Sequence, residues 1–281
     1  MEESGPIRVG AVSYLNTKPL VYGLEDVSRR VDLSFDLPSR LADRLRNGQL
    51  DVALIPSIEF LASESGRGGD LSIVSNACIG CRGAVWSVVL MSRVPWREIR
   101  TLAVDEGSRT SIALARILLD QRFGIRPRLL PLPIDQRLEE ADGDGLLVIG
   151  DRAMKARVSN MADRWDLGEE WRRWTGLPFV FAMWVARAGV SNAPIGRWLD
   201  RARDLGLRNL DAIASRECAA HGLTRDDCLG YLRDNLHFRL GTREREGLER
   251  FRHYATELGM LPSRGEPHDR TAVEPSVARR E

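Results

Sequence analysis

The chain has 281 residues, which is long enough for one large domain or two lobes, and its 43% of hydrophobic residues suffices for a packed core. Its 41 basic and 40 acidic residues give a formal net charge of +1. This balance argues against a nucleic-acid-binding protein, which normally carries a basic excess. No apolar run reaches the roughly 18 residues that a membrane helix needs.

The first ten residues are acidic and then run into a strand pattern, without the basic start and apolar segment of a secretory signal. We therefore expect a cytoplasmic protein with reduced cysteines. Cys78 and Cys81 form a C-x-x-C pair, but the pair precedes a strand, and Cys218 and Cys228 lie ten residues apart. This spacing favours structural thiols over a redox or metal site.

Seven apolar stretches of strand length alternate with polar turns and amphipathic segments. This alternation predicts an α/β protein with parallel strands covered by helices. The predicted strands cover residues 7–12, 33–37, 51–55, 84–92, 101–104, 129–132 and 146–149. Ser39 occupies the N-cap position of a predicted helix that stops at Gly48. Residues 112–123 and 241–260 have helical periodicity.

Pro95 and Trp96 interrupt this pattern, and we interpret residues 93–100 as a first crossing between two lobes. The apolar, aromatic stretch at 179–186 is interpreted as the return crossing. The first lobe is thus predicted to be discontinuous, with residues 1–95 plus 183–262, and the second lobe to cover 96–182. Residues 263–281 are rich in charged residues and poor in apolar ones, so we predict a disordered tail.

Polar loops follow three predicted strands, at residues 13–19, 56–59 and 106–111. In open α/β sheets, ligands bind outside the carboxyl ends of the strands. The carboxyl ends of both sheets face one cleft in a two-lobed protein, so the three loops are expected to converge on one binding site.

The turn from Gly107 to Ser111, with the sequence G-S-R-T-S, precedes the helix predicted over 112–123. Glycine permits a tight turn, and Ser108 is a plausible N-cap. Exposed N–H groups at a helix start, together with hydroxyls and Arg109, suit a carboxylate or a phosphate. The alternative is an ordinary capped helix with a surface arginine. The turn lacks the G-K pair of a Walker loop.

Two other polar residues at strand ends have alternative interpretations. Asn16, which shares the first loop with Lys18, either closes an Asx turn or contacts a ligand. Asp151 either caps the next helix, predicted over 152–157, or contacts a ligand.

The histidines and the tryptophan-rich stretch at 165–184 favour structural roles. All four histidines lie in the last quarter of the chain, outside the strand-end loops, and we expect surface or packing roles for them: His221, His237, His253 and His268. The aromatic stretch favours core and hinge packing. Its alternative role is an aromatic wall beside a cyclic ligand.

Five stretches carry a family resemblance: RVGAVSYLNTKPL at 8–20, DVALIPSIEF at 51–60, SRTSIALARIL at 108–118, LVIGDRAM at 147–154 and DLGEEWRRWTGLPFVFAMWV at 166–185. They resemble the chorismate dehydratases of the futalosine-dependent menaquinone pathway. The resemblance runs from residue 8 to about residue 187 and excludes the C-x-x-C pair and the tail. The V-S-Y-L-N-T-K-P-L run is long and unusual, which makes it specific.

The resemblance implies a periplasmic-binding-protein-like fold of type II, with two lobes and a central cleft. It also implies elimination of water from chorismate to give 3-[(1-carboxyvinyl)oxy]benzoate, without a cofactor or a metal. Asn16 is predicted as the catalytic residue. The predicted substrate-binding residues are Ser13, Tyr14, Lys18, Ser57, Ser87, Ser108, Arg109, Thr110, Ser111 and Asp151. For the base that removes the ring proton, two candidates are Glu59 and the second carboxylate of the substrate.

Three alternatives to this function are considered. The sister enzyme 1,4-dihydroxy-6-naphthoate synthase shares the fold, but its strand-end loops usually differ. A non-enzymatic small-anion receptor would need a signal peptide or a lipoprotein cysteine. The effector lobe of a transcription regulator would follow a helix-turn-helix, whereas this chain starts with a strand. The expected partner is a small molecule, with neither nucleic acid nor membrane.

Overall fold

Two β-sheets form the framework of the protein. The computed structural model describes residues 5–27, 30–65, 71–190 and 192–262, so the tail predicted at 263–281, with His268, lies outside the described residues. The strands are β1 (Ile7–Val12), β2 (Val31–Asp36), β3 (Val52–Pro56), β4 (Leu71–Cys81), β5 (Val88–Ser92), β6 (Thr101–Asp105), β7 (Arg128–Leu132), β8 (Gly145–Ile149), β9 (Asp163–Asp166), β10 (Phe179–Arg187) and β11 (His237–Arg239).

Helices cover the sheets. In chain order they are α1 (Leu24–Val27), α2 (Pro38–Arg46), α3 (Ser57–Ser65), α4 (Arg109–Phe123), α5 (Gly150–Met154), α6 (Leu167–Thr175), α7 (Asn192–Arg208), α8 (Leu210–Glu217), α9 (Arg225–Gly230) and α10 (Thr242–Glu257). Short 3-10 helices cover Leu15–Leu20, Trp96–Glu98 and Leu138–Glu140, and a π-helix covers Tyr231–Asn235. Within the described ranges, none of the helices is both long enough and apolar enough to span a bilayer.

Three neighbouring strands at one end of each sheet run parallel, so the loops that follow them leave at the same edge. The six-stranded sheet has the order β11-β4-β10-β3-β1-β2, and the five-stranded sheet has the order β7-β6-β8-β5-β9. β1 pairs in parallel with β2 and β3, and β6 pairs in parallel with β7 and β8. All five residues of β3 are buried, as is typical of a strand covered on both faces.

All seven predicted strand stretches contain a strand, which confirms the α/β prediction. Four strands were not predicted, namely β4, β9, β10 and β11, and β10 covers the stretch that was interpreted only as the return crossing. The stretch predicted over 84–92 becomes a strand only at Val88, because the N–H groups of Val85 and Trp86 bond the carboxylate of Asp166 instead. Ser39 is not the N-cap of α2, because Leu37 holds that position and Pro38 starts the helix.

The sheets show where strands near the predicted lobe crossings lie. β5 belongs to the five-stranded sheet, although residues up to 95 were predicted in the first lobe. β10 belongs to the six-stranded sheet from Phe179 onward. The division into lobes stays a prediction, and the sheets favour crossings near residues 82–87 and 176–178.

The aromatic stretch forms much of the core beside α10. The Trp171 ring is fully buried, contacts Phe179 and Phe251 edge-on, and donates its indole N–H to the carbonyl of Pro178 at 3.0 Å. Trp184 is fully buried in β10. These contacts agree with the packing role expected for the stretch.

A half-buried carboxylate with two arginine partners joins three strands of the six-stranded sheet. Asp51, just before β3, accepts hydrogen bonds from the backbone N–H of Arg8, at 3.0 Å, and from the guanidinium groups of Arg8 and Arg187, both at 2.8 Å. Mainly through its hydrogen bonds to Arg8, the pKa of Asp51 is held well below its ordinary value.

Replacing Asp51 with asparagine (Asp51→Asn) should lower the free energy of unfolding at neutral pH by about 1.5–3 kcal/mol, since charge-assisted hydrogen bonds are lost. The pKa of Asp51 is lower in the folded than in the unfolded protein. Its contribution is therefore present above the ordinary carboxyl pKa and disappears as the pH falls below about 4. Urea unfolding across this range should show the gap between variant and wild type closing, with exposed Asp142→Asn as the matched control. A gap that did not change with pH would contradict this assignment.

Candidate active site

A cavity lies between the two sheets and contains about 510 Å³ of space, part of it open to solvent. Strand-end segments of both sheets contribute to it, including Val12 at the end of β1 and Pro56 at the end of β3 on one side, and Gly107 after β6 and Gly150 after β8 on the other. The cavity is lined by Val12, Tyr14, Asn16, Pro38, Pro56, Ile79, Val85, Ser87, Val88, Gly107, Ser108, Arg109, Thr110, Ser111, Ile149, Gly150, Phe181 and Ala182.

The walls of the cavity are mostly apolar. Ile79 and Phe181 come from the six-stranded sheet, and Val88 and Ile149 come from the five-stranded sheet. Phe181 belongs to the aromatic stretch and is the member of that stretch that lines the cavity, so the alternative role, a wall beside a cyclic ligand, stays a prediction for this one ring. An apolar cavity with few polar groups orients a ligand through those groups alone.

Hydroxyl groups and a helix start provide the polar part of the lining. Ser108 is the N-cap of α4, a helix of 15 residues, yet its side chain makes no capping hydrogen bond. Its hydroxyl is buried and has no hydrogen-bond partner in the described structure. Thr110 and Ser111 follow in the first turn and line the same cavity. The unpaired N–H groups and the dipole of a helix start favour an anion.

Thr110 also ties α4 to the six-stranded sheet. Its hydroxyl oxygen accepts a hydrogen bond from the backbone N–H of Ile58 at 3.3 Å and lies 3.4 Å from the Ser57 hydroxyl. Ser57 itself donates to the carbonyl of Val180 at 2.8 Å and is fully buried. Ser57 therefore lies behind the cavity wall and supports Thr110, rather than lining the cavity as predicted.

Tyr14 reaches the cavity because two glycines leave room for its side chain. A Cβ on Gly150 would lie 3.0 Å from the ring of Tyr14, and a Cβ on Gly107 would lie 3.1 Å from its hydroxyl. The Tyr14 hydroxyl is buried without a hydrogen-bond partner in the described structure. Burial and the charges of Asp105 and Asp151 raise the pKa of Tyr14, so the group stays protonated and can donate.

Asn16 and Ser87 lie on the cavity with a third residue behind them. The Tyr231 hydroxyl donates to Ser87 Oγ at 2.8 Å, which leaves the Ser87 proton free for a ligand. Burial raises the pKa of Tyr231, and its hydrogen bonds with the Ser87 and Asn16 side chains oppose that rise. No sequence pattern marked Tyr231, because it lies 144 residues from Ser87 in a short π-helix.

Besides Ser57, three further predicted binding residues do not line the cavity. Ser13 is exposed, and its backbone N–H bonds the carbonyl of Asp36. The Lys18 ammonium pairs with Glu217 at 3.0 Å. Asp151 accepts hydrogen bonds from the backbone N–H of Leu15 and from His221. Asp151 lies inside α5, so it is not the N-cap considered from the sequence.

Arg109 lines the cavity, but its guanidinium group is engaged elsewhere. It bonds Asp43 at 2.7 Å and Glu59 at 3.0 Å, on α2 and α3. Glu59, a candidate base from the sequence, is also paired with Arg46 and does not line the cavity. Because carboxylates already neutralise Arg109, the helix start is the more available group for an anion.

Contacts on two sides hold the sheets together around the cavity. On one side, Arg109 of α4 bonds Asp43 and Glu59. On the other, Asp151 of α5 bonds His221 Nδ1 at 2.8 Å. His221 was expected in a surface or packing role, and its largely buried ring joins α5 to the segment after α8.

The sequence matches the model of a protein family described as menaquinone biosynthesis, over residues 7–257. The chain belongs to this menaquinone biosynthesis family. The match contains every residue that lines the cavity. Family membership confirms the relationship that the five sequence stretches indicated.

Individual proteins extend this comparison. A chorismate dehydratase from Thermus thermophilus is 29% identical over 274 residues, which cover 91% of this chain and 96% of that protein. Protein AF1704 from Archaeoglobus fulgidus has a similar structure, with a TM-score of 0.75 and 15% identity over 92% of this chain and all of that one. The periplasmic aliphatic sulphonate binding protein SsuA from Escherichia coli gives a TM-score of 0.58 and 14% identity, over 93% and 90% of the two chains. The menaquinone biosynthesis protein thus has the expected periplasmic-binding-protein-like fold.

The free Ser108 hydroxyl gives a stability prediction. An N-cap serine usually loses about 1 kcal/mol of stability on replacement by alanine. Because the Ser108 side chain forms no cap bond, Ser108→Ala should change the free energy of unfolding by less than about 0.5 kcal/mol. Thr224→Ala is the matched control, since Thr224 caps α9 through the N–H of Asp227, and it should show the usual loss. If Ser108→Ala and Thr224→Ala lost equal free energies of unfolding in urea, the Ser108 hydroxyl would have to form a capping hydrogen bond after all.

Proposed function

We propose that this protein is a chorismate dehydratase, a hydro-lyase that converts chorismate into 3-[(1-carboxyvinyl)oxy]benzoate and water. The observation that carries the proposal is the unpartnered, buried hydroxyl of Ser108 at the start of α4, facing an apolar cavity. Membership in the menaquinone biosynthesis family and the name of the Thermus thermophilus relative support it.

The substrate has chemistry that complements the cavity. Chorismate carries a carboxylate on its ring and a second one on its enolpyruvyl group. In our proposal the ring carboxylate meets the N–H groups of the first turn of α4 and the hydroxyls of Ser108 and Ser111. The ring lies against Phe181 and Ile79, and the second carboxylate lies toward Asn16 and Ser87. This arrangement uses both polar sides of an otherwise apolar cavity.

The reaction develops charge where the helix start lies. Loss of the proton at C3 spreads negative charge through the conjugated ring onto the ring carboxylate. Fixed donors aimed at that carboxylate lower the barrier, since they bind the charge more strongly as it grows. Hydroxide then leaves C4 and takes up the proton that was removed from C3, so one water is lost, the base is restored and the ring becomes aromatic. The protonated hydroxyl of Tyr14 is suited to donate a hydrogen bond to the leaving oxygen.

For the base, we favour the second carboxylate of the substrate. Glu59, the protein candidate, is buried in ion pairs with Arg46 and Arg109 outside the cavity lining. A carboxylate held by Asn16 and Ser87 would remove the proton within the same molecule. Positioning of that kind contributes several kcal/mol to barrier reduction. Asn16 is then catalytic through its contact with the substrate.

Incubation of the purified protein with chorismate should produce the benzoate chromophore, with loss of one water by mass spectrometry. Asn16→Asp should lower kcat by at least about 100-fold, because an added charge beside the substrate carboxylate replaces a hydrogen-bond donor. Ser13→Ala is the matched control and should keep full activity, since Ser13 is exposed outside the cavity.

Two results would contradict the proposal. Tight binding of chorismate without turnover would indicate a non-enzymatic anion-binding protein. If Glu59→Gln abolished kcat while KM was unchanged, proton removal by the substrate's own carboxylate would be wrong.

A further inference from the structure

A buried carboxyl group lies directly behind the helix start. Asp105 ends β6 and is fully buried, and its Oδ1 accepts a hydrogen bond from the N–H of Gly107 at 3.2 Å. Its Oδ2 is also buried and has no hydrogen-bond partner in the described structure. A Cβ on Gly107 would lie 3.5 Å from Asp105 Oδ1 and 3.1 Å from the Tyr14 hydroxyl, so these groups surround one turn.

One cation faces this carboxyl, at the long end of ion-pair distance. Arg152 Nη1 lies 3.7 Å from Asp105 Oδ2, and the guanidinium group donates hydrogen bonds to the carbonyls of Pro133 and Gln136 rather than to Asp105. The other titratable neighbours are Tyr14, which carries no charge, and Glu106, which lies 3.7 Å from Arg40. Burial raises the pKa of Asp105 to about 6, and the charge of Glu106 adds to the rise, while the N–H groups of Gly107 and Ile149 and the charge of Arg152 oppose it.

A charged Asp105 and an anionic ligand would repel each other across the turn. Gly107 and Ser108 line the cavity on one side of that turn, and the carboxyl group lies on its other side. Electrostatic interactions are strong in such a buried setting, because little water screens them. Ligand binding and proton binding at Asp105 should therefore favour each other, and thermodynamic linkage makes this coupling reciprocal.

We propose that Asp105 is a positioning residue that takes up a proton when a dicarboxylate binds at the start of α4, so that the turn keeps its hydrogen bond without a negative charge behind it. The identity of the ligand rests on the proposed function. Asp105 does not contact the substrate in this proposal, and it acts on the ligand through Gly107 and Ser108.

Calorimetry with the reaction product tests this coupling without turnover, because the product keeps both carboxylates of chorismate. Titrations at about pH 7 in two buffers of different ionisation enthalpy measure the protons taken up. Wild type should take up close to one proton per ligand, and its Kd should rise by up to about tenfold per pH unit above the pKa of the free protein. Asp105→Asn, which keeps an acceptor for Gly107, should take up none and show a flat Kd from about pH 6 to about pH 8.

The control variant is Asp142→Asn, which removes an exposed carboxylate that is not among the charges acting on Asp105 and should leave proton uptake unchanged. If wild type bound the product without taking up a proton, the role of Asp105 would be overturned and the proposed function would stand. This outcome depends on wild type alone, so it holds even if a variant fails to fold. Uptake that persisted in a folded Asp105→Asn variant would also overturn it. Failure of wild type to bind the product or convert chorismate would overturn both proposals.

Discussion

The hydrogen bond from the backbone N–H of Ile58 to the Thr110 hydroxyl joins the two sheets where the cavity lies. It brings the first turn of α4, which belongs to one sheet, against the first turn of α3, which belongs to the other. Without this contact the helix start would face solvent, where water would satisfy its N–H groups. With it, those groups border an apolar space, and an anion is the ligand that satisfies them.

This contact also explains why so few ionised side chains line the cavity. Arg109 is the only lining residue with a cationic group among those described, and its charge is matched by Asp43 and Glu59. Backbone dipoles and hydroxyls replace mobile charges as the binding groups. Fixed dipoles need no rearrangement as charge moves within a ligand, which is the condition for electrostatic catalysis.

Sequence patterns predicted the parts of the fold that depend on local periodicity. The apolar runs of β1, β3 and β8 stood out because central strands bury both faces. The turn at Gly107 stood out because glycine and serine have specific uses at helix starts. By contrast, β9 reads D-R-W-D and its pairing with β5 depends on a partner more than 70 residues away, so no local signal marked it.

The candidate site was predictable to the same extent. Tyr14, Asn16 and Ser108 follow strands and were found through the strand-end rule. Lys18 satisfied the same rule but turns toward Glu217 on α8, a neighbour that no spacing reveals. Tyr231 and Asp105 were missed, because their roles come from burial behind a lining residue, and burial of a polar group depends on the tertiary fold.

The close contact between Tyr14 and Gly150 restricts which residues can replace either of them during evolution, although they lie far apart in the chain. Gly150 has a φ of 63°, and no space remains for a methyl group between its backbone and the aromatic ring. A relative with a larger residue at this position would need both a different backbone turn and a smaller side chain in place of the tyrosine. The two positions should therefore vary together across the family, and their pairing marks which relatives share this geometry of the cavity wall.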